Sequence, residues 1–138
     1  MSNLTRFSVS LDKGLINNFD RHIKSRNYPT RSKAIGDLIL GELVKEEWES
    51  GKDVAGAIVV VYNHHKRELV QNLTCIQHKF HHIIVSTQHV HLDHSNCLEI
   101  IMVRGKSEVV RNLADRIKST KAVKYSSSIM ATTGKRIK

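Results

Sequence analysis

Residues 5–11, Thr-Arg-Phe-Ser-Val-Ser-Leu, alternate strictly between polar and apolar side chains, and no second strand pattern follows until Ala55. This isolated strand constrains the fold more than any other feature. Alternation puts Phe7, Val9 and Leu11 on one face and Arg6, Ser8 and Ser10 on the other, the pattern of a half-buried strand. Its backbone groups need a ladder partner, because an unpaired strand edge invites association. Two helical patterns follow. Asp12 can cap a helix over about 13–26, in which Leu15, Phe19 and Ile23 recur every four residues, and Asn27-Tyr28-Pro29 stops it. Thr30 or Ser32 can cap a second helix reaching Ser50, striped by Ile35, Leu38, Ile39 and Leu43 and weakened by Gly36. Three elements in so short a segment bury too little apolar surface to stand alone. The sequence therefore predicts that two chains pair these strands antiparallel and interlock their helices as an obligate dimer.

Beyond a short polar linker at Glu49–Asp53 the pattern changes. An apolar β-rich run (Ala55–Tyr62) leads to a helix (about Lys66–His78), a strand (about His82–Leu92) and a further strand (Leu98–Arg104). A helix over about Ser107–Ser119, striped by Val109, Leu113 and Ile117, and a last strand over about Ala122–Met130 complete the series. The order β-α-β-β-α-β is that of the ferredoxin-like split βαβ unit. Helices cover one face of such a sheet, so the other face or an edge is expected to meet a partner. The tail from Thr132 is expected to be mobile. These readings make an α+β chain with two domains, residues 1–50 and 51–138.

An apolar fraction of 40% with one proline is ordinary for a globular protein. No apolar run is long enough to span a membrane, and the start MSNLTRFSVSLDK lacks the apolar core of a signal peptide. A cytoplasmic location is expected, and there two cysteines serve as ligand, core filler or nucleophile rather than as a disulfide. The net charge of +9 favours a polyanionic partner such as nucleic acid. Residues 1–50 carry eight Lys/Arg against seven Asp/Glu, and residues 51–138 carry fourteen against six. Charge thus supports nucleic-acid binding without locating it.

The stretch His78–Cys97 holds six of the nine histidines and one of the two cysteines. On a strand, His89 and His91 share a face, and the short turn Leu92–Asn96 can bring Cys97 beside them from the next strand. Two imidazoles and a thiolate suit nickel, copper or zinc; the plainer alternative is a solvated histidine-rich strand with one buried cysteine. His64, His65, His81, His82 and His94 are candidates for weaker accessory sites. Cys75 reads as a small core residue and His22 as solvent-facing.

The polar face of the first strand reads either as a plain solvated face or as a second functional surface. A two-stranded antiparallel ribbon fits the major groove, where arginine can hold guanine by two hydrogen bonds and serine can donate or accept. Arg6, Ser8 and Ser10 are the candidate base contacts. The amides near Thr30–Lys33, at the start of the second helix, offer a phosphate anchor.

Through RFSVSL, the Asn27-Tyr28 turn and RSKAIGDLIL, the first fifty residues resemble the ribbon-helix-helix DNA-binding domain. Through YNHHKREL (Tyr62–Leu69), STQHVH (Ser86–His91) and CLEI (Cys97–Ile100), the remainder resembles the ACT-like regulatory domain of the nickel-responsive regulator family, NikR. The likeness covers nearly the whole chain. It implies an N-terminal dimeric ribbon-helix-helix (βαα) followed by a βαββαβ ACT-like domain. It implies one Ni(II) per subunit, square-planar, on His78, His89, His91 and Cys97, with His78 supplied by a different subunit. A homotetramer, or dimer of dimers, and a palindromic double-stranded operator follow from the same likeness, as does repression of nickel-uptake genes. Lys66 and Arg67 match positions that touch the DNA backbone, and Glu99 is a candidate to support the ligands from behind. The family often has an acidic residue where this chain has Lys33, which would pair with Asp37 in a secondary cation site, and a basic one at Gly36.

Three competing readings remain at this stage. A ribbon-helix-helix regulator could sense copper, zinc or a small molecule instead. An ACT-type amino-acid sensor fits less well, because the turn Tyr62–Lys66 has no glycine to let a ligand approach the backbone. An enzyme with Cys97 as nucleophile lacks any accompanying oxyanion hole or nucleophile elbow, so no catalytic activity is expected.

Overall fold

The computed structural model describes residues 3–137. They form two compact units, Met1–Leu40 and Gly41–Lys138, and the boundary falls inside one helix. In the first unit, residues 3–12 form no ladder, and α1 (Lys13–Ser25) and the first turns of α2 (Arg31–Glu49) follow. Asp12 caps α1 by accepting from the amides of Gly14 (2.8 Å) and Leu15 (3.2 Å). Asn27, at φ 59°, closes it in the left-handed region that asparagine tolerates. Thr30 Oγ1 accepts from the Lys33 amide at 3.1 Å and so caps α2.

This unit has almost no interior of its own. Among its described residues Ala34 is the one buried apolar residue, and α1 buries none. Phe7 (70% exposed), Val9, Leu11, Leu15, Leu38 and Ile39 all face outward. The strand expected at residues 5–11 is therefore absent from the single chain, for a physical reason: a strand is defined by its ladder, and a lone chain offers this segment none.

The second unit runs β1 (Asp53–Asn63), α3 (Arg67–Lys79), β2 (Ile84–His91), β3 (Asn96–Lys106), α4 (Ser107–Ser119) and β4 (Tyr125–Met130). The sheet order is β2-β3-β1-β4 with every pairing antiparallel, which is the βαββαβ arrangement that the sequence predicts. Val54, Ile58, Val60 and Tyr62 alternate on the inner face of β1 and meet Cys97, Glu99, Ile101 and Val103 of β3. Leu69 and Leu73 of α3 and Val110, Leu113 and Ile117 of α4 close that core. The opposite face carries Val59, Val61, Leu98, Ile100 and the exposed Met102, Tyr125 and Ile129.

The last turns of α2 belong to this unit. Trp48 is buried, and its indole donates to the Ala131 carbonyl at 2.9 Å. A Cβ on Gly56 would sit 2.5 Å from the Ile129 carbonyl oxygen and 3.2 Å from the Trp48 ring, so only glycine lets ring and strand approach this closely. Thr132 donates to the buried Glu47 carboxylate at 2.9 Å. Thr132, at the start of the tail expected to be mobile, is thus tied down by its side chain.

Candidate metal centre

Strand register brings the donors together. His91 lies opposite Cys97, and His89 opposite Glu99. Cys97 in turn lies opposite Tyr62, and Glu99 opposite Val60. Because side chains alternate, all of these point to the inner face, at the end of the sheet where β1 runs out. Cys97 Sγ lies 3.3 Å from His91 Nδ1, and the His89 and His91 rings are 5.2 Å apart. Cys97 is buried, whereas His89 and His91 are exposed. A donor set of this form has a protected sulfur and reachable imidazoles.

The hairpin joining β2 to β3 is locked by Asp93. Its carboxylate accepts from the amides of Ser95 and Asn96 and from the Asn96 side chain, each within 2.8 Å. Those bonds hold the carboxyl down to about 2. The turn after β1 is held likewise: Asn63 Oδ1 accepts from the His65 amide at 2.9 Å, and the His64 amide donates to the Ser95 carbonyl at 3.2 Å.

His64 Nδ1 consequently sits 3.2 Å from Cys97 Sγ. Among the described residues, His64, His91 and Cys97 form the group whose donor atoms all lie within 4.8 Å of one another. The sequence marks His64 only as an accessory candidate. The missing signal was register: with Tyr62 opposite Cys97, the turn that follows β1 brings His64 to the same end of the sheet as the cysteine. Partial burial, then the neighbouring His65 and His91, hold the His64 imidazole below its usual range. Burial, reinforced by Asp93 and Glu99, pushes the Cys97 thiol up.

Behind the cysteine lies a buried carboxylate. Glu99 accepts from the Tyr62 hydroxyl at 2.9 Å and from Gln77 Nε2 at 2.8 Å. Burial, followed by the bond to Glu99, raises the Tyr62 phenol far above its ordinary range. Gln77 precedes His78, so this carboxylate joins the strand that bears Cys97 to the helix that bears His78. His78 itself is exposed in the last turn of α3, with its ring 5.9 Å from that of His81, and lies outside the trio. His65 Nε2 contacts the His94 carbonyl at 3.1 Å. Cys75 is exposed, against the expectation of a core position, because it falls on the outer side of α3 away from Leu69 and Leu73.

The candidate DNA contacts stand free. Arg6, Ser8, Ser10, Lys66 and Arg67 are exposed. Lys33 Nζ bonds Asp37 at 2.6 Å, so its ammonium occupies the place beside that carboxylate where a cation would pair.

The donors fit a late first-row divalent ion. Bond lengths of about 2.0–2.3 Å at a right angle place sulfur and nitrogen about 3.1 Å apart, close to the observed contact of Cys97 with His91. Such an N/S donor set at the end of a βαββαβ sheet makes a candidate metal-binding domain. Residues 55–131 match the family described as NikR C terminal nickel binding domain. A protein of Chlorobium limicola named as a nickel-responsive regulator is 54% identical, over 97% of this chain and all of its own length. One of Syntrophus aciditrophicus is 49% identical over 97% of this chain and 98% of its own, and one of Solibacter usitatus is 50% identical over the full length of both. An uncharacterized protein of Thermotoga maritima shares the fold alone, with a TM-score of 0.52 and 8% identity over 56% of this chain and 96% of its own. The chain belongs to the nickel-responsive regulator family. None of the helices among the described residues is long and apolar enough to cross a membrane.

Proposed function

We propose that the protein is a nickel-sensing transcriptional regulator whose residues 1–50 bind a palindromic operator as a ribbon-helix-helix dimer. Residues 51–138, an ACT-like domain, then hold the metal and assemble a homotetramer. The observation that carries this reading is the pairing of Cys97 with His91 at the end of β2 and β3, with His89 alongside. In this reading His89, His91 and Cys97 of one subunit and His78 of another would hold one Ni(II) per subunit, and the bound ion would supply a cross-link between subunits. Everything else falls to the chain: Asp93 pins the hairpin, and Glu99 ties the Cys97 strand to the α3 helix beside His78.

Two exposed apolar surfaces support the assembly. Phe7, Val9, Leu11 and Leu15 need a cover in the first unit, and Met102, Tyr125 and Ile129 lie on the uncovered sheet face of the second. Pairing of two residue 5–11 segments would form the ribbon and turn Arg6, Ser8 and Ser10 outward, with Lys66 and Arg67 as backbone contacts. The coupling is thermodynamic: metal raises DNA affinity to the extent that it favours the arrangement that reaches both half-sites. The expected hinge at Ser50–Asp53 falls inside the second unit, so no hinge is assigned to it; repression of nickel-uptake genes is the expected outcome in the cell.

Gel shifts on the protein's own upstream DNA test the reading. Wild-type protein should tighten at least about tenfold with nickel, a coupling of about 1.4 kcal/mol, and His89→Ala should abolish that gain. Operator binding by His89→Ala that still tightens with nickel would sink the proposal.

A further inference from the structure

We propose that His64, His91 and Cys97 form a second, three-donor metal site within a single chain, suited to tetrahedral zinc and competing with nickel for His91 and Cys97. The proposal rests on the nickel reading in one respect, the sharing of those two donors.

The geometry comes first. Sulfur sits between the two imidazoles, 3.2 Å from His64 Nδ1 and 3.3 Å from His91 Nδ1, and the two rings meet edge-on at 79° with centroids 5.4 Å apart. Zinc bonds of about 2.3 Å to sulfur and about 2.0–2.1 Å to nitrogen, at a tetrahedral angle, separate sulfur and nitrogen by about 3.5 Å. The trio therefore has to open by only a few tenths of an ångström to close around the ion. Its three backbone pieces are already fixed to one another. The His64 amide is bonded to Ser95, Asn63 shapes the turn, and Asp93 holds the hairpin between His91 and Cys97.

Ligand number then separates the metals. Three protein donors with an open fourth position suit zinc, which takes water there without geometric preference from its d electrons. A square plane of nickel needs four strong in-plane donors, and this trio has three. The His64 ring packs against the rings of His65, at 4.1 Å, and His91. The consequence is functional. The trio lies in one chain, so zinc held there joins no subunits, although it occupies two of the nickel donors. Discrimination then comes from which residues an ion engages rather than from how tightly it binds, which matters because affinity order alone does not favour nickel over copper.

The full-length protein is titrated with Zn(II), with Co(II) as its coloured tetrahedral stand-in, and with Ni(II). His64→Ala and His64→Gln, checked for native circular dichroism, should weaken zinc by more than about tenfold and abolish the tetrahedral cobalt–thiolate absorption, while the square-planar nickel band remains. His78→Ala should lose the nickel band and keep zinc. Zinc affinity and cobalt spectrum unchanged in both His64 variants would overturn the proposal, as would loss of zinc in His78→Ala. Nickel binding that survives His78→Ala would overturn the cross-subunit nickel set instead, leaving the His64 result to decide the trio.

Discussion

Nickel affinity should depend on pH through one identifiable proton. In the proposed nickel site Cys97 would bind as a thiolate, yet burial, with the carboxylates of Asp93 and Glu99 adding to it, holds its thiol above the ordinary value of 9.0. Even at 9.0, only about 1% of the thiol is ionised at pH 7, so stripping the proton costs about 2.7 kcal/mol, and the raised value makes the cost larger. Between about pH 7 and 8.5, then, each bound metal should release the Cys97 proton, and the dissociation constant should fall about tenfold per pH unit on that account. The sign reverses for the metal-free fold. A thiol raised in the folded state favours folding below its unfolded value, and that contribution is lost as pH rises through the folded value. The metal-free protein should therefore weaken above about pH 9 while the nickel form does not. Competition titrations across this range, with calorimetry in buffers of different ionisation enthalpy, measure slope and proton count. A dissociation constant that stays flat from pH 7 to 8.5 would refute the reasoning, since it would mean that Cys97 is no ligand or is ionised beforehand.

Two further perturbations read the framework around the site. Glu99→Ala strands the buried Tyr62 hydroxyl and releases Gln77, and should cost about 2–4 kcal/mol in urea unfolding of the metal-free protein at fixed concentration; a loss under about 0.5 kcal/mol would remove Glu99 from the structural argument. Gly56→Ala should cost about 1–3 kcal/mol, and more than Gly105→Ala. The added carbon at Gly56 meets a backbone carbonyl at 2.5 Å, whereas at Gly105 it meets the movable Ile83 side chain at 2.6 Å. The opposite order in urea midpoints would contradict that account.

What the sequence determined by itself was everything set by short-range periodicity. The four-residue recurrences placed α1, α2 and α4, an apolar β-rich run placed β1, and the βαββαβ order followed from the succession of elements. The grouping of His89, His91 and Cys97 was legible for the same reason, since a two-residue spacing and a short turn bring them together whatever the rest does. Tertiary structure decided what depends on register or on a partner. His64 reaches Cys97, 33 residues away, only because Tyr62 lies opposite Cys97 in the β1–β3 ladder, and no local pattern encodes that offset. Trp48 and Thr132 anchor the chain's two ends of the second unit through contacts more than eighty residues apart in sequence, which made the tail look mobile. Cys75 faces outward because helix phase is set by the core that α3 meets. Residues 5–11 carry the alternation of a strand without forming one, because hydrogen-bonding groups that a pattern orients still require a second strand to complete the ladder.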